Sequence, residues 1–171
     1  MIPKLIFSDI DGVWTDGGMY YDEKGNELKK FHTYDSAGIL FCKMAQIPFG
    51  VISGEDSNTV KARAQKLKVE YIFLGVKNKV EKMAALCENL SISFNDVAYI
   101  GDDINDYELL KKVGLSACPS NAPKYIQKVV KWRLTNKGGE GVLREFVEKI
   151  LETNGIDIVG LLKEHKYFVN E

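Results

Sequence analysis

The 171-residue chain has little histidine: His32 and His165 are its only two, and they lie far apart. Its three cysteines, Cys42, Cys87 and Cys118, are scattered through apolar stretches without any CxxC spacing. Both scarcities argue against a zinc centre or a disulfide framework, and small buried thiols in a reducing cytoplasm are expected instead. Neither sign of charge is in excess, since 23 basic and 24 acidic residues leave a formal net charge of -1. That removes a global electrostatic case for nucleic acid or for an anionic membrane. No apolar run approaches the roughly 18 residues of a membrane span, and the start "MIPKLIFSDI" holds too short an apolar stretch for a signal peptide. The expectation is a cytoplasmic protein. With no internal repeat, linker or low-complexity tract, residues 1–171 read as one domain, with a core over about 1–151 and a tail over about 152–171.

What is present is a regular alternation. "KLIFSDI", "IPFGVIS", "YIFLGV", "DVAYIGDD" and "LSACPS" are short apolar runs that read as buried strands. Between them, "DSAGILFCKMAQ", "SNTVKARAQKLKV", "NKVEKMAALCENL", "NDYELLKKVG" and "APKYIQKVV" carry helical spacing, and "GGEGVLREFVEKILETNG" adds a further helix. Asp35 or Ser36 is the expected N-cap of the first helix, and Gly114 the expected C-terminal cap of the fourth. "GMYYDEKGNELKKFH" reads as a β-hairpin with its tip near Gly25 and Asn26. "LLKEHKYFVNE" reads as a surface helix or a loosely held tail. Near-continuous apolar strands alternating with helices predict a three-layer, Rossmann-like α/β fold. It would have a parallel sheet, a β-hairpin insert after the first strand and no cap domain.

In such a sheet, ligands bind outside the carboxyl ends of the strands. The first strand ends in Asp9 and Asp11, the second in Ser53, Gly54 and Glu55, and the fourth in Gly101, Asp102, Asp103 and, shortly after, Asp106. The third leads through a short loop to Lys79. Carboxylates gathered so closely repel one another and resist ionisation unless a cation joins them. Oxygen ligands without His or Cys favour Mg²⁺ over zinc. One carboxylate of the Asp9/Asp11 pair can attack phosphorus while its neighbour handles a proton, and Ser53 and Lys79 suit phosphoryl oxygens. Each residue also has a plainer reading: Ser53 as a turn residue, Lys79 or Lys77 as surface charge, Asp106 and Glu55 as acids in a helix's first turn, Lys66 and Arg63 as a solvated face. Trp14 and the Met19–Tyr21 cluster read as hairpin core or interface, and His32 as a structural residue.

Taken in order, "DIDGVWTDG", "VISGE", a lysine ahead of a helix and "GDDINDYELL" resemble the haloacid dehalogenase superfamily of phosphotransferases over about residues 5–150. The resemblance implies Asp9 as nucleophile and Asp11 as general acid and base. It implies Mg²⁺ held by the Asp9 carboxylate, the Asp11 backbone carbonyl and Asp102. Ser53, Gly54 and Lys79 would bind the phosphoryl group, with Asp103 and Asp106 in support, bonded to Lys79 or to metal waters.

The stretches "DGVWTDGGMYYD", "FHTYDSAGI", "RAQKLKVEYIFLGVKNK" and "KGGEGVLREFVEKIL" are similar to the capless sugar-acid phosphatases of that superfamily. Those are typically homotetramers in which a neighbour's surface closes the site, and their substrates are small sugar phosphates. The octulosonate 8-phosphate enzymes generally carry Arg after the Ser-Gly pair. Glu55 paired with Lys66 is similar instead to the nononate enzymes, so 2-keto-3-deoxynononate 9-phosphate or N-acylneuraminate 9-phosphate is the expected substrate. The alternative is 3-deoxy-D-manno-octulosonate 8-phosphate. A sugar acid needs a cation for its carboxylate and acceptors for its hydroxyls. The candidates are Glu55, Arg63 and Lys66, with Thr33, Asp35 and Ser36 at the hairpin's exit. Lys137 and Arg144, around the flexible "KGGEG", would reach a neighbouring subunit's site. Two rivals stand beside this reading. One is a non-catalytic phosphosugar-binding module. The other is a receiver domain, disfavoured because its acceptor Asp follows a later strand.

Overall fold

The computed structural model describes residues 2–167. Six parallel strands form one sheet: β1 (Leu5–Ser8), β4 (Phe49–Ile52), β5 (Tyr71–Phe73), β6 (Val97–Ile100), β7 (Leu115–Cys118) and β8 (Trp132–Arg133). Their order is β5-β4-β1-β6-β7-β8. Between β1 and β4 the chain makes the expected hairpin, β2 (Tyr20–Tyr21) against β3 (Glu27–Leu28), and then α1 (Asp35–Met44). The remaining helices are α2 (Asn58–Lys66), α3 (Lys79–Asn89), α4 (Tyr107–Lys112), α5 (Lys124–Gln127), α6 (Val142–Thr153) and α7 (Ile158–Glu164). The hairpin is the sole insert after β1 among the described residues, and no cap domain covers the sheet.

Strand alternation divides the core. Ile6, Phe49, Val51, Ala98 and Ile100 face the layer of α1, α2, α6 and α7, while Leu5, Phe7, Ile52, Val97 and Tyr99 face α3, α4 and α5. Both faces are covered, which is why the strands carry almost no polar side chains. Helix α6 shows the amphipathic logic most clearly. Val142, Leu143, Phe146, Val147, Ile150 and Leu151 are all buried along one side. Its neighbour α1 comes so close that a Cβ on Gly38 would sit 3.0 Å from the Arg144 Cα. Trp14 is fully buried, stacks on Phe49 at 6.3 Å and donates its indole N–H to the Ser8 hydroxyl at 3.1 Å. It therefore belongs to the main core rather than to the hairpin.

Several local expectations are corrected. Gly114 is not a left-handed cap: α4 ends in extended backbone at Val113, and a Cβ on Gly114 would lie 1.9 Å from the Asn95 carbonyl oxygen, so close approach is what demands glycine there. Strand β8 has no counterpart in the sequence reading, and a 3₁₀ turn over Phe94–Asp96 precedes β6. Of the two readings of "LLKEHKYFVNE", the helix holds for its first part, where α7 buries Leu161; residues 168–171 lie outside the described part.

Asp35 does not cap its own helix either. It sits within α1, nearly fully buried, and its Oδ1 accepts the backbone N–H of Arg144 at 3.1 Å, near the start of α6. One carboxylate thus serves a neighbouring helix's unpaired donor. Burial pushes its pKa up to about 6, against the pull of the Arg144 amide and of His32 and Arg63. An acid raised in the folded state holds its proton there while the unfolded chain releases it, so stability falls as pH climbs from about 4 to about 6. We expect Asp35→Asn to remove this slope. Urea unfolding should show the variant gaining about 1–3 kcal/mol relative to the wild type between pH 4 and pH 7, with parallel curves refuting the assignment.

Candidate active site

The sheet order places β1 between β4 and β6, and the chain leaves β1 toward opposite sides at these two neighbours. This is the topological switch point, where a crevice opens at the carboxyl ends of the strands. A cleft of about 420 Å³ lies there, lined among others by Asp9, Asp11, Ser53, Gly54, Glu55 and Asp102. Backbone bonds set the strand ends: Asp9 N–H donates to the Ile100 carbonyl at 2.9 Å, and Ser53 N–H to that of Phe73 at 2.9 Å.

Lys79 is the first residue of α3, which Asn78 caps by accepting the Glu81 N–H. It is buried, and its ammonium lies 2.6 Å from Asp9 Oδ1 and 2.6 Å from Asp106 Oδ1. Asp106 is fully used. Its Oδ1 also accepts the Tyr99 hydroxyl, while its Oδ2 accepts the N–H groups of Asp102 at 2.9 Å and Asp103 at 3.2 Å. It therefore acts as a bracket that folds the loop after β6 around the lysine. Burial alone would lower the Lys79 pKa, but the two carboxylates outweigh it and hold the ammonium charged.

The acids are less well served. Burial and the charge of Asp106 push Asp9 up to about 7 despite Lys79. Burial, Asp9 and Asp106 push Asp102 up to about 8. Asp102 Oδ1 is buried and has no hydrogen-bond partner. Oxygens of Asp9, Asp102 and Asp106 gather within 4.8 Å of one another. One ammonium cannot balance three carboxylates, and with Asp106 saturated, Asp9 and the orphaned Asp102 oxygen are the free donors. This all-oxygen set fits a hard divalent cation. Gly12 makes room for the Asp102 carboxylate: its φ of +86° is the left-handed region, and a Cβ there would lie 2.0 Å from Asp102 Oδ2.

Asp11 faces the cleft but its side chain is not part of that cluster. Its Oδ1 pairs with the ammonium of Lys29 at 2.6 Å and accepts the Thr15 hydroxyl at 3.4 Å, and its Oδ2 is buried without a partner. The acidic cluster around Lys79 therefore comprises Asp9, Asp102 and Asp106 and does not include the Asp11 side chain. Ser53 is buried, with its hydroxyl oxygen accepting the Glu55 N–H at 3.1 Å. Glu55 lines the cleft. Asp103 also lines it, but it is exposed and accepts the Tyr125 hydroxyl at 2.6 Å rather than bonding Lys79.

The other specificity candidates are not brought to this cleft. Lys66 and Ser36 border a separate groove between α1 and α2. Arg63 lies over the Phe31 ring at 5.9 Å. Thr33 offers its carbonyl to the Ser36 hydroxyl at 2.5 Å. Arg144 pairs with Glu148 at 2.7 Å and stands over Tyr34 and Phe41. Lys137 is exposed. The "KGGEG" loop is not the loose arm expected of it: Gly138 and Gly139 are buried against residues 12–16, with Gly139 N–H on the Val13 carbonyl at 2.9 Å. His32 is half-buried, its Nδ1 accepting the Tyr34 N–H at 3.3 Å, and it does not line the cleft.

Sequence reasoning missed Lys29 and Tyr99. A tyrosine in the middle of a buried strand is a usable signal, since its hydroxyl needs a polar partner inside. Lys29 follows β3 two residues after Glu27, with which it pairs, but nothing local says which second carboxylate it meets.

Comparison with known proteins agrees with this geometry. A family model described as haloacid dehalogenase-like hydrolase matches residues 53–146. A 3-deoxy-D-manno-octulosonate 8-phosphate phosphatase from Haemophilus influenzae is 35% identical over 152 residues, spanning 89% of this chain and 84% of the relative. A structure of the cobalt-bound form of a deoxy-D-mannose-octulosonate 8-phosphate phosphatase from Haemophilus influenzae superposes with a TM-score of 0.85 at 35% identity, covering 90% of each chain. The enzyme of the same name from Moraxella catarrhalis, solved with magnesium, phosphate and KDO, gives a TM-score of 0.85 at 32% identity, over 88% of this chain and 86% of that one. The names favour the octulosonate alternative, and none of these relatives is named for the nine-carbon substrate expected from Glu55 and Lys66. By sequence, fold and strand-end chemistry, the chain is a phosphatase of the haloacid dehalogenase-like hydrolases.

Proposed function

We propose that the chain is a Mg²⁺-dependent phosphomonoesterase for a keto-deoxy sugar acid phosphate, acting through an aspartyl-phosphate. The observation that carries this is the buried Asp9–Lys79–Asp106 triad beside the unpartnered Asp102 oxygen. Asp9 attacks phosphorus in line while Asp11 protonates the leaving sugar oxygen. Asp11 then takes a proton from the water that hydrolyses the aspartyl-phosphate. Lys79, Ser53 and the Gly54 backbone hold phosphoryl oxygens. Asp9, the Asp11 carbonyl and Asp102 would hold Mg²⁺, which supplies charge neutralisation at those oxygens.

The substrate proposed first is 3-deoxy-D-manno-octulosonate 8-phosphate, because that activity names the relatives that span most of this chain. A nine-carbon keto acid phosphate is the second reading, favoured by Glu55, an acceptor for hydroxyls on the cleft wall. The cleft is open and Met19 lines it from the hairpin, whose Tyr20, Tyr21 and Leu28 are also exposed. An apolar arm beside an uncovered site supports a homo-oligomer, a tetramer in this reading, in which neighbours close it and Lys137 and Arg144 reach a partner's cleft. No described helix is long and apolar enough to cross a membrane. The three cysteines are buried and free, which suits a cytoplasmic enzyme.

Asp9→Asn should abolish phosphate release while leaving the circular dichroism spectrum unchanged, and chelation of divalent cations should stop the wild type reversibly. Activity surviving either treatment refutes the mechanism. Side-by-side kcat/KM values for the eight- and nine-carbon keto acid phosphates should favour the eight-carbon ester; the opposite preference transfers the assignment to the second reading. Sedimentation of the active enzyme should give a tetramer, against which an active monomer would count decisively.

A further inference from the structure

Lys29 lies in the hairpin arm just after β3, 18 residues beyond Asp11 in the chain, yet its side chain is only 2% exposed. Its ammonium is clamped between two carboxylates from different elements: Glu27 Oε1 at 3.0 Å, on β3, and Asp11 Oδ1 at 2.6 Å, on the loop after β1. A lysine so enclosed at the tip of its tether is held in one geometry, and it confers that geometry on its partners. The Thr15 hydroxyl joins it at Asp11 Oδ1. All the protein hydrogen bonds of that carboxylate therefore fall on Oδ1, and Oδ2 is left buried without a partner in a residue that lines the cleft.

We propose that Lys29 is a positioning residue, which fixes the Asp11 carboxyl by Oδ1 so that Oδ2 alone exchanges protons with the leaving group and the water. This rests on the proposed role of Asp11 and adds to it. In the first step the Asp9 oxygen–phosphorus bond forms and the phosphorus–sugar oxygen bond breaks, and the proton on Oδ2 passes to that sugar oxygen. In the second, water attacks phosphorus, its proton goes to Oδ2 and the bond to Asp9 breaks. Lys29 exchanges nothing in either step. Glu27 steadies it from behind, so the hairpin arm, and not the sheet alone, sets the aim of the acid.

The test is rapid-quench kinetics on Lys29→Met, Lys29→Arg and Glu27→Gln with the sugar phosphate and with p-nitrophenyl phosphate. Lys29→Met should lower kcat on the sugar phosphate roughly 10–100-fold with little change in KM, since general acid–base aim is what it loses. Nitrophenolate leaves without a proton. The first-turnover burst on the aryl ester should therefore keep its rate in Lys29→Met, while the steady state, which needs water activated, slows. Lys29→Arg should recover most of the loss, and Glu27→Gln should show the same pattern at smaller amplitude. Burst and steady state falling together would mark a merely structural lysine and overturn the inference, as would wild-type kinetics in Lys29→Met. A wild-type chain that hydrolyses neither ester overturns the reading of the site as well; variants failing these patterns beside an active wild type overturn the inference alone.

Discussion

The site depends on one buried ammonium. Lys79 enters at the first turn of α3 and touches Asp9 after β1 and Asp106 before α4, so a single cation ties three separate segments together. Such a group is tolerated only when its partners and their remaining lone pairs are satisfied. Asp106 meets that condition through Tyr99 and two backbone amides. Removing Lys79 would leave two buried carboxylates facing each other, a loss of about 3–5 kcal/mol. The same lysine explains why the acids are unequal. Asp106 is spent on structure, whereas Asp9 keeps a cleft-facing carboxylate and Asp102 an unpartnered oxygen. Structure and chemistry are divided among neighbouring carboxylates by the hydrogen bonds each already holds.

Close approach is the second constraint, and it is met by the absence of side chains. Gly12 leaves the space that the Asp102 carboxylate fills, and Gly101 leaves that of Asp106, whose Cγ would lie 2.5 Å from an added Cβ. Gly138 lets the loop before α6 press on the Gly12 carbonyl, where an added Cβ would lie 1.9 Å away. The glycine backbones after β1 and β6 thus pack directly against carboxylates, and the loop ahead of α6 packs backbone against backbone on the loop after β1, which keeps the carboxylates in place without a cap above them.

Much of this was readable from the chain. The strand runs, the hairpin and the carboxylates at strand ends are encoded by short-range pattern, because a parallel sheet demands apolar strands and puts its ligands at their carboxyl ends. What pattern could not supply were contacts set by the third dimension. Strand β8 is two residues long and exposes Arg133, so nothing in its sequence separates it from a loop. Gly114 sits where a cap would, but the Asn95 carbonyl, distant in the chain, is what excludes a side chain. Asp35 has a cap's chemistry and a cap's place, yet it serves α6 because α1 packs there. Lys66 carries a charge suited to a sugar acid, but the fold directs it to another groove.

The hairpin joins these threads. As an insert in an otherwise regular alternation, it brings a buried cation, Lys29, to Asp11 on one side and offers exposed Met19, Tyr20 and Tyr21 on the other. An arm that only covered the sheet edge would need the apolar surface and not the ion pair; an arm that only tuned the acid would need the ion pair and not the apolar surface. Carrying both, it joins an ion pair to Asp11 and an exposed apolar surface beside the cleft in one short insert. In a phosphatase without a cap domain, that is where control over proton transfer can be placed without disturbing the strand ends themselves.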